Sequence, residues 1–340
     1  MSWTHRTLPG LRIGHASDRR LKSGTTVFLP DEPALAAVHV AGGAPGTRET
    51  DLLVPENTVD RVDAIVLSGG SAFGLAAADG VSAWLAARGR GFAIGPARVP
   101  IVPAAILFDL LNGGDKASIP GMGSATHSPY AGLGRAACEA ASAEVELGSA
   151  GVGIGATIAD LKGGFGMASA MLPGGGSVVA HVGVNAVGRV TLGSTAHFRA
   201  APFEIDDEFG GLGYPRPFPP DAAAAVTKMN ARAAGNTTIA VIATDVAIGK
   251  AQAKRVAIAA HDGFALAIFP AHTPMDGDTV FVLSTGRIVP DDPAAALADL
   301  CTGAVTAMTR AVARGVYEAS AAAGDRLPAW RDRYSVGVEG

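Results

Sequence analysis

A few short runs carry the residues able to do chemistry. In Ala234-Gly235-Asn236-Thr237-Thr238-Ile239 a hydroxyl residue stands at a predicted strand start, after a Gly-Asn pair and a long Pro- and Gly-rich connection. Attack by Thr237 Oγ1 on the carbonyl carbon of Asn236 would turn that amide into an ester, and hydrolysis of the ester would split the chain. Thr237 would then carry a free α-amine. Such an amine titrates near ~7.7–8.0 when unperturbed, where a general base is useful, and a Thr hydroxyl beside its own terminal amine is an activated nucleophile. The same run also reads as a plain turn before a strand. It contains the glycosylation sequon Asn236-Thr237-Thr238, which matters only in a secreted chain.

Met275-Asp276-Gly277-Asp278-Thr279 places two carboxylates at i and i+2, on one side of the chain if the segment is extended. Paired acids can hold a hydroxyl and an amine, or share a proton when close. An Asp-Gly turn is the plain alternative; a calcium loop is excluded, because D-x-[DN]-x-[DN]-G is not completed. Lys162, in Leu161-Lys162-Gly163-Gly164, and Asn185, in Val184-Asn185-Ala186, are a cation and an amide able to stabilise an oxyanion, or else a surface charge and a turn residue. Ser68-Gly69-Gly70-Ser71-Ala72-Phe73-Gly74 follows a buried-strand pattern and opens a helix, so it is either an anion nest or a packing turn. It fails the G-x-S-x-G and P-loop tests. None of the 8 histidines forms H-x-x-x-H or H-E-x-x-H, and no metal site is expected.

Positioning these residues requires strands and covering helices. Strands are predicted within Leu11–Pro30 and at Ala36–Val40, Asp63–Leu67, Thr237–Thr244 and Thr279–Ser284, with three or four short ones over Gly151–Leu192. Phe264–Phe269 is a further strand candidate, and Ile101–Leu111 is ambiguous between helix and strand. Helices are predicted over Phe73–Arg88, Gly134–Glu146, Gln252–His261 (with Gly263 able to end it) and Ala294–Ala323; Ala222–Ala234 is a candidate short one. Residues 201–220, with five prolines and the acidic run Glu204–Glu208, read as an exposed, weakly ordered connection. This mixed order fits a layered α/β sandwich better than a regular βαβ repeat.

Composition narrows the classes. The 340 residues carry 27 Lys plus Arg against 31 Asp plus Glu, so no basic excess points to nucleic acid. Hydrophobic residues at 48% and charged ones at 17% exclude a disordered chain. No run reaches the ~18 apolar residues of a membrane span, and the N-terminal residues lack a signal-peptide core, so a cytoplasmic protein is expected. Cys138 and Cys301, each in an Ala-rich stretch of helical type, are expected as buried thiols.

Taken in order, Leu67–Leu75, Pro100–Asp109, Lys162-Gly163-Gly164, Gly235–Ile239 and Met275–Thr279 resemble the self-processing aminopeptidase/amidase family. That family includes L-aminopeptidase D-Ala-esterase/amidase, the β-peptidyl aminopeptidases and the nylon-oligomer endohydrolases. The resemblance implies a single αββα sandwich of the N-terminal-nucleophile-hydrolase type over 1–340, cut into fragments 1–236 and 237–340. It implies Thr237 as nucleophile, Asn236–Thr237 as the cut bond, Asp276 and Asp278 as the acidic pair orienting it, and Lys162 and Asn185 beside it. Ser71 and Phe108 fall at the substrate; Phe108 stands where some relatives carry Tyr, and a phenyl ring has no hydroxyl to donate. Thr in place of Ser and the Met-Asp-Gly-Asp run place the chain nearer the nylon-oligomer branch. The implied substrate is a small amide or peptide, nylon-type 6-aminohexanoate oligomers included, with no cofactor, no metal, no nucleic-acid or membrane partner, and a homo-oligomer, a tetramer, as the assembly. An aminopeptidase or D-amino-acid amidase, an acyltransferase of the same fold, and a non-catalytic ligand-binding protein built on the Ser68–Gly74 turn are the alternative readings.

Overall fold

Strand-forming runs of Val, Ile, Ala and Thr make up thirteen strands in the computed structural model, which describes residues 5–228 and 236–334. Gly235 and the end of the helix predicted over Ala222–Ala234 lie outside the described residues; residues 222–227 are turn and irregular chain. In chain order the strands are β1 (Leu11–Asp18), β2 (Ser23–Pro30), β3 (Ala34–Val40), β4 (Thr47–Arg48), β5 (Arg61–Val62), β6 (Ile65–Ser68), β7 (Phe92–Ile94), β8 (Ala97–Val99), β9 (Ala104–Ile106), β10 (Gly164–Met171), β11 (Ser177–Val184), β12 (Ile239–Val246) and β13 (Thr279–Ile288). One sheet has the order β1-β2-β6-β9-β4, a second β10-β11-β12-β13-β3-β5, and β7 with β8 form a small exposed hairpin. The pairs β6/β9 and β12/β13 are parallel.

The helices are α1 (Ala77–Ala86), α2 (Tyr130–Glu139), α3 (Lys250–Ala267), α4 (Pro293–Tyr317) and α5 (Trp330–Tyr334). Three apolar cores separate four layers. Ala77, Val81 and Tyr130 of α1 and α2 pack on Val27 and Val66 of the first sheet. Phe28, Ile65 and Leu67 face Phe165, Val241 and Phe281 between the sheets. Val256, Phe264 and Met308 of α3 and α4 cover Val182, Ile242 and Val280 on the far side. Along β12 alternate residues serve opposite cores, Ile239, Val241 and Ala243 inward and Ala240 and Ile242 toward the helices. Burial on both faces explains its unbroken apolar sequence. The architecture is the αββα sandwich.

Four local expectations are corrected. Phe264–Phe269 is not a strand; through Ala267 it is the last turn of α3, and Val256, Ala260, Phe264 and Ala267 fall on its buried face. Gly263 does not end that helix. A Cβ there would lie 2.7 Å from both Met308 Cβ and Val305 O, so the glycine is a close-approach point for α4. The helix predicted over Gly134–Glu146 runs from Tyr130 to Glu139, because Ser142 exchanges backbone hydrogen bonds of 3.0 and 2.8 Å with Ile13 at the sheet edge. Gly151–Leu192 holds two strands, β10 and β11; before them the N–H groups of Gly151 and Val152 donate to the side-chain hydroxyls of Ser17 and Thr26, not to strand backbone.

Residues 201–220 are anchored as well. Glu208 is buried between Arg310 and Arg314 of α4, accepting from Arg310 Nη2 at 2.9 Å and, at a shorter contact, from its Nε. Phe209 packs edge-on against Phe198, which stacks on Trp330. Cys138 is buried in α2, its thiol pushed up to about 12 by burial, whereas Cys301 in α4 is only half-buried. Among the described residues no helix is long and apolar enough to cross a membrane.

Candidate active site

The parallel pairing of β12 and β13 brings together residues some forty positions apart. Ile239 pairs with Thr279, so the residues just before each strand meet at one end of the sheet. Asn236 bridges Asp276, Gly277 N donates to Asn236 O at 3.1 Å, and Thr238 N donates to Asp278 Oδ1 at 2.8 Å. On the other side of β12 the antiparallel β11 ends at Val184, and the next residue, Asn185, accepts Thr237 N at 3.1 Å through its carbonyl. From β3 the Gly42-Gly43-Ala44 loop closes the end, with Ala44 N donating to Asp276 O at 2.7 Å. Asn185, Asn236, Thr237, Asp276 and Asp278 are all buried there.

The geometry at Thr237 bears on the reaction read from the sequence. Its hydroxyl donates in a short contact to the Asn236 carbonyl oxygen, the same oxygen that Gly277 N–H holds. Gly277 leaves room for that contact: a Cβ there would stand 2.8 Å from Thr237 Oγ1 and 2.8 Å from Ala44 O. Asp276 Oδ2 accepts from both N and Oγ1 of Thr273 at 2.8 Å, while its Oδ1 is buried with no hydrogen-bond partner. Burial, and after it the charge of Asp278, push the Asp276 carboxyl up to about 6. Asn236 Nδ2 and Oδ1 and Thr238 Oγ1 are likewise buried without partners. Native structures rarely leave such atoms unpaired; these four belong to residues that flank or bridge the Asn236–Thr237 bond.

Not all the expected residues converge. Lys162 is buried, but its ammonium donates to Asp325 Oδ2 at 2.9 Å and to Ile154 O at 3.4 Å, in a cluster that Lys22 completes on Asp325 Oδ1. The cation against Asn185 is Lys228, whose Nζ stands 3.0 Å from Asn185 Oδ1 and 3.2 Å from its carbonyl oxygen. Burial pulls the Lys228 amine down to about 7, with the Asp276 charge opposing it. Asn185 is held rigidly: Oδ1 also accepts Thr157 N at 3.0 Å and Nδ2 donates to Phe108 O at 3.1 Å. Phe108 therefore reaches the site through its backbone, its residue half-buried. Ser71 is one step further away, with its N–H on Leu107 O at 3.0 Å.

Three N–H groups of the Ser68–Gly74 turn are already bonded within the protein. Gly69 N donates to Gly24 O at 2.9 Å, Gly70 N to Asp109 Oδ1 at 2.9 Å and Ser71 N to Leu107 O. Asp109 is buried and also bonds Ser23 Oγ at 2.5 Å, which Tyr130 OH donates to at 2.7 Å. The packing reading of this turn is the one the geometry fits. Sequence reasoning missed Lys228, inside a run read only as a candidate helix, and His272, which flanks Asp278. Nothing in either local sequence marks a ligand or a catalyst. The signal for Lys228 is three-dimensional: an ammonium buried with no carboxylate partner among the described residues.

The sequence model of peptidase family S58 matches residues 7–327. An uncharacterized aminopeptidase of Mycobacterium tuberculosis is 43% identical over 96% of this chain and 96% of that protein. The 6-aminohexanoate-oligomer endohydrolase of Kocuria is 31% identical over 82% of this chain and 74% of that protein. Among solved structures, the L-aminopeptidase D-Ala-esterase/amidase of Ochrobactrum anthropi, described as a variant of the Ntn hydrolase fold, superposes with a TM-score of 0.68 at 19% identity, covering 97% of this chain and 91% of that one. A Burkholderia β-aminopeptidase gives 0.64 at 19% identity over 98% and 94%. These structural likenesses establish the fold.

Proposed function

Because the chain belongs to peptidase family S58 and is a hydrolase of peptide or amide bonds, we propose that it cuts itself between Asn236 and Thr237 and that the freed Thr237 is its nucleophile. The observation that carries this reading is the Asn236 carbonyl, held by Gly277 N–H on one side and touched by Thr237 Oγ1 on the other. The hydroxyl oxygen stands against the carbonyl it would attack, and a backbone donor already points at the oxygen that would gain charge.

In the first cut Thr237 Oγ1 bonds to the Asn236 carbonyl carbon and the C–N bond to Thr237 breaks. The Thr237 nitrogen is still an amide at that stage, so another group takes the hydroxyl proton. Asp276, whose backbone bridges Asn236 and whose carboxyl is raised to about 6, is assigned that part: as a carboxylate it takes the hydroxyl proton and then gives it to the departing Thr237 nitrogen. Water then releases fragment 1–236 from the ester. The resulting α-amine serves as base for each later turnover, in which Thr237 Oγ1 attacks an amide carbonyl, the amine leaving group departs with a proton, and water frees the acyl group. Gly277 N–H, once Asn236 has left, is available to the substrate's carbonyl oxygen, with Asn185 holding the Thr237 backbone and Lys228 giving positive charge beside it. Lys162 acts from further off, its strand-like bridge to Thr157 fixing the N–H that holds Asn185 Oδ1.

The substrate class is a small peptide or other amide. The names of its relatives, aminopeptidase and 6-aminohexanoate-oligomer endohydrolase, support testing both α-peptides and linear ω-amino-acid oligomers. Intact mass and N-terminal sequencing test the mechanism: fragments of about 24 and 10 kDa are expected by share of length, the smaller starting at Thr237. Thr237→Ala should stay whole and inactive. An active preparation containing only the uncut chain would overturn the assignment.

A further inference from the structure

Two carboxylates, Asp276 and Asp278, stand beside Thr237, and only Asp276 is assigned the proton. His272 lies outside that account, and its surroundings are unusual. Its Nδ1 stands 2.8 Å from Asp278 Oδ2 and its Nε2 3.2 Å from the carbonyl oxygen of His261. Both are oxygens that accept only. A neutral imidazole has one N–H and one lone pair, so it would turn a lone pair toward one of them; the imidazolium alone donates to both. The residue is also fixed by its backbone, with φ of +56° in the left-handed region and its N–H 3.2 Å from the same Asp278 oxygen. A non-glycine residue in that region marks a constraint the surrounding structure maintains.

The charges facing the ring from each neighbouring segment agree. From α3 comes His261, its ring centroid 4.9 Å away and its pKa pulled down to about 4 by burial, so it stays neutral. His39, at the end of β3 and 5.1 Å from His261, is also lowered by burial, then by Lys254. Phe264 adds an apolar ring at 5.9 Å. The loop before β13 contributes Asp278 and Asp276. For His272 itself burial works against the charge, but the bonds and charge of Asp278 outweigh it and raise its pKa. Among the described residues no cation bonds to Asp276: Lys228 and His272 act on it only by charge at longer range, one of its oxygens is taken by Thr273, and the other is buried without a partner.

We propose that His272 is a positioning residue: as an imidazolium it keeps Asp278 the ionised member of the acid pair and so leaves Asp276 as the one carboxyl that takes and returns the proton. Asp278 then works as a fixed acceptor for Thr238 N–H, which sets the backbone beside the nucleophile. Two carboxyls in one site with environments that push them apart have separate duties. The proposal rests on the reading of Thr237 as the reacting residue for its kinetic arm, but not for its spectroscopic arm.

The test has both. In full-length Thr237→Ala, which should remain uncut, 15N chemical shifts of the His272 ring should show two protonated nitrogens at pH 7. A single N–H there would overturn the proposal whether or not the chain cuts itself. In the otherwise wild-type chain, His272→Gln keeps an amide donor but loses the charge. The pair should then hold its proton to higher pH, and the acid limb of the self-cleavage profile should move up by about one pH unit. With the wild-type limb near 6, that is about a fivefold loss of self-cleavage rate at pH 6 that recovers by pH 8. His272→Lys, which restores a cation, should move the limb back. Superimposable profiles for wild type and a folded His272→Gln would refute it. Should Gln not fold, the same comparison is made with His272→Asn, and the ring spectrum decides independently.

Discussion

Gly277→Ala isolates the position of one oxygen atom. Gly277 has no left-handed φ, so its own backbone accepts alanine. The added methyl would sit 2.8 Å from Thr237 Oγ1, 3.0 Å from Thr237 Cγ2 and 2.8 Å from Ala44 O, where ordinary contact begins near 3.4 Å. About 0.6 Å must therefore be recovered on one side or the other. Ala44 is backbone, tied by its N–H to Asp276 O at 2.7 Å, so the Thr237 side chain is the softer neighbour. Moving a reacting atom by about 1 Å can cost about 10²-fold, and 0.6 Å on that scale predicts self-cleavage slowed at least tenfold. Overpacking should lower stability by only about 1–3 kcal/mol, so the protein stays folded. Intact mass followed over days, with a thermal melt on the same samples, reads both effects. Gly132→Ala is the control, because a Cβ there meets nothing within 4 Å, and it should cut at the wild-type rate. A folded Gly277→Ala that also cuts at the wild-type rate would mean that Thr237 Oγ1 is not the attacking atom.

Three further outcomes are expected. Lys228, with a folded pKa of about 7 against the ordinary 10.5, binds its proton more weakly folded than unfolded, so its burial destabilises the charged form and the penalty fades as pH rises from about 7 to about 10. In the uncut Thr237→Ala background, Lys228→Met should raise Tm most near pH 6–7, with the gain shrinking toward pH 10; a pH-independent difference would contradict the buried-ammonium reading. Glu208→Ala removes the buried carboxylate that Arg310 and Arg314 share and should cost about 3–5 kcal/mol in a denaturant melt; a loss under 1 kcal/mol would contradict a buried ion pair there. Thr237→Ser keeps a hydroxyl in place and should still cut, whereas Thr237→Val, similar in shape, should not; a cut valine variant, seen on a denaturing gel, would remove the hydroxyl from the mechanism.

Much of the fold was legible because the strands near the site are buried on both faces. The runs Thr237–Thr244 and Thr279–Ser284 need no knowledge of their partners to be read as strands. What failed to read was anything decided by a distant neighbour. Gly263 looks like a helix stop until α4 is seen to need its missing side chain, and the acidic run ending at Glu208 looks solvated until two arginines a hundred residues later close over it. Lys162 and Lys228 show the same limit at the site. Each is a lone lysine among small residues, and only Asp325 and Asn185, brought by other elements, distinguish them.

The placement of the site follows from chain direction. In the β12–α3–β13 unit a helix returns the chain so that both strands start at the same end of the sheet, and β11, running the opposite way, delivers its last residue there. A strand start, an acid turn and an amide thus converge without any long-range coincidence in sequence. That convergence also bears on why one site could serve two reactions. Gly277 N–H holds the carbonyl of Asn236 in the whole chain, and the seat it makes is defined by backbone, not by Asn236's side chain, whose polar atoms find no partner. A carbonyl held only through its oxygen can be replaced by another carbonyl. If so, substitutions of Asn236 that spare the backbone should leave turnover by the released Thr237 unaffected while altering the rate of the first cut. Asn236→Ala, compared with wild type after both are fully processed, should show equal kcat; a large deficit in the processed enzyme would place Asn236 itself in the amidase site and end the shared-seat argument.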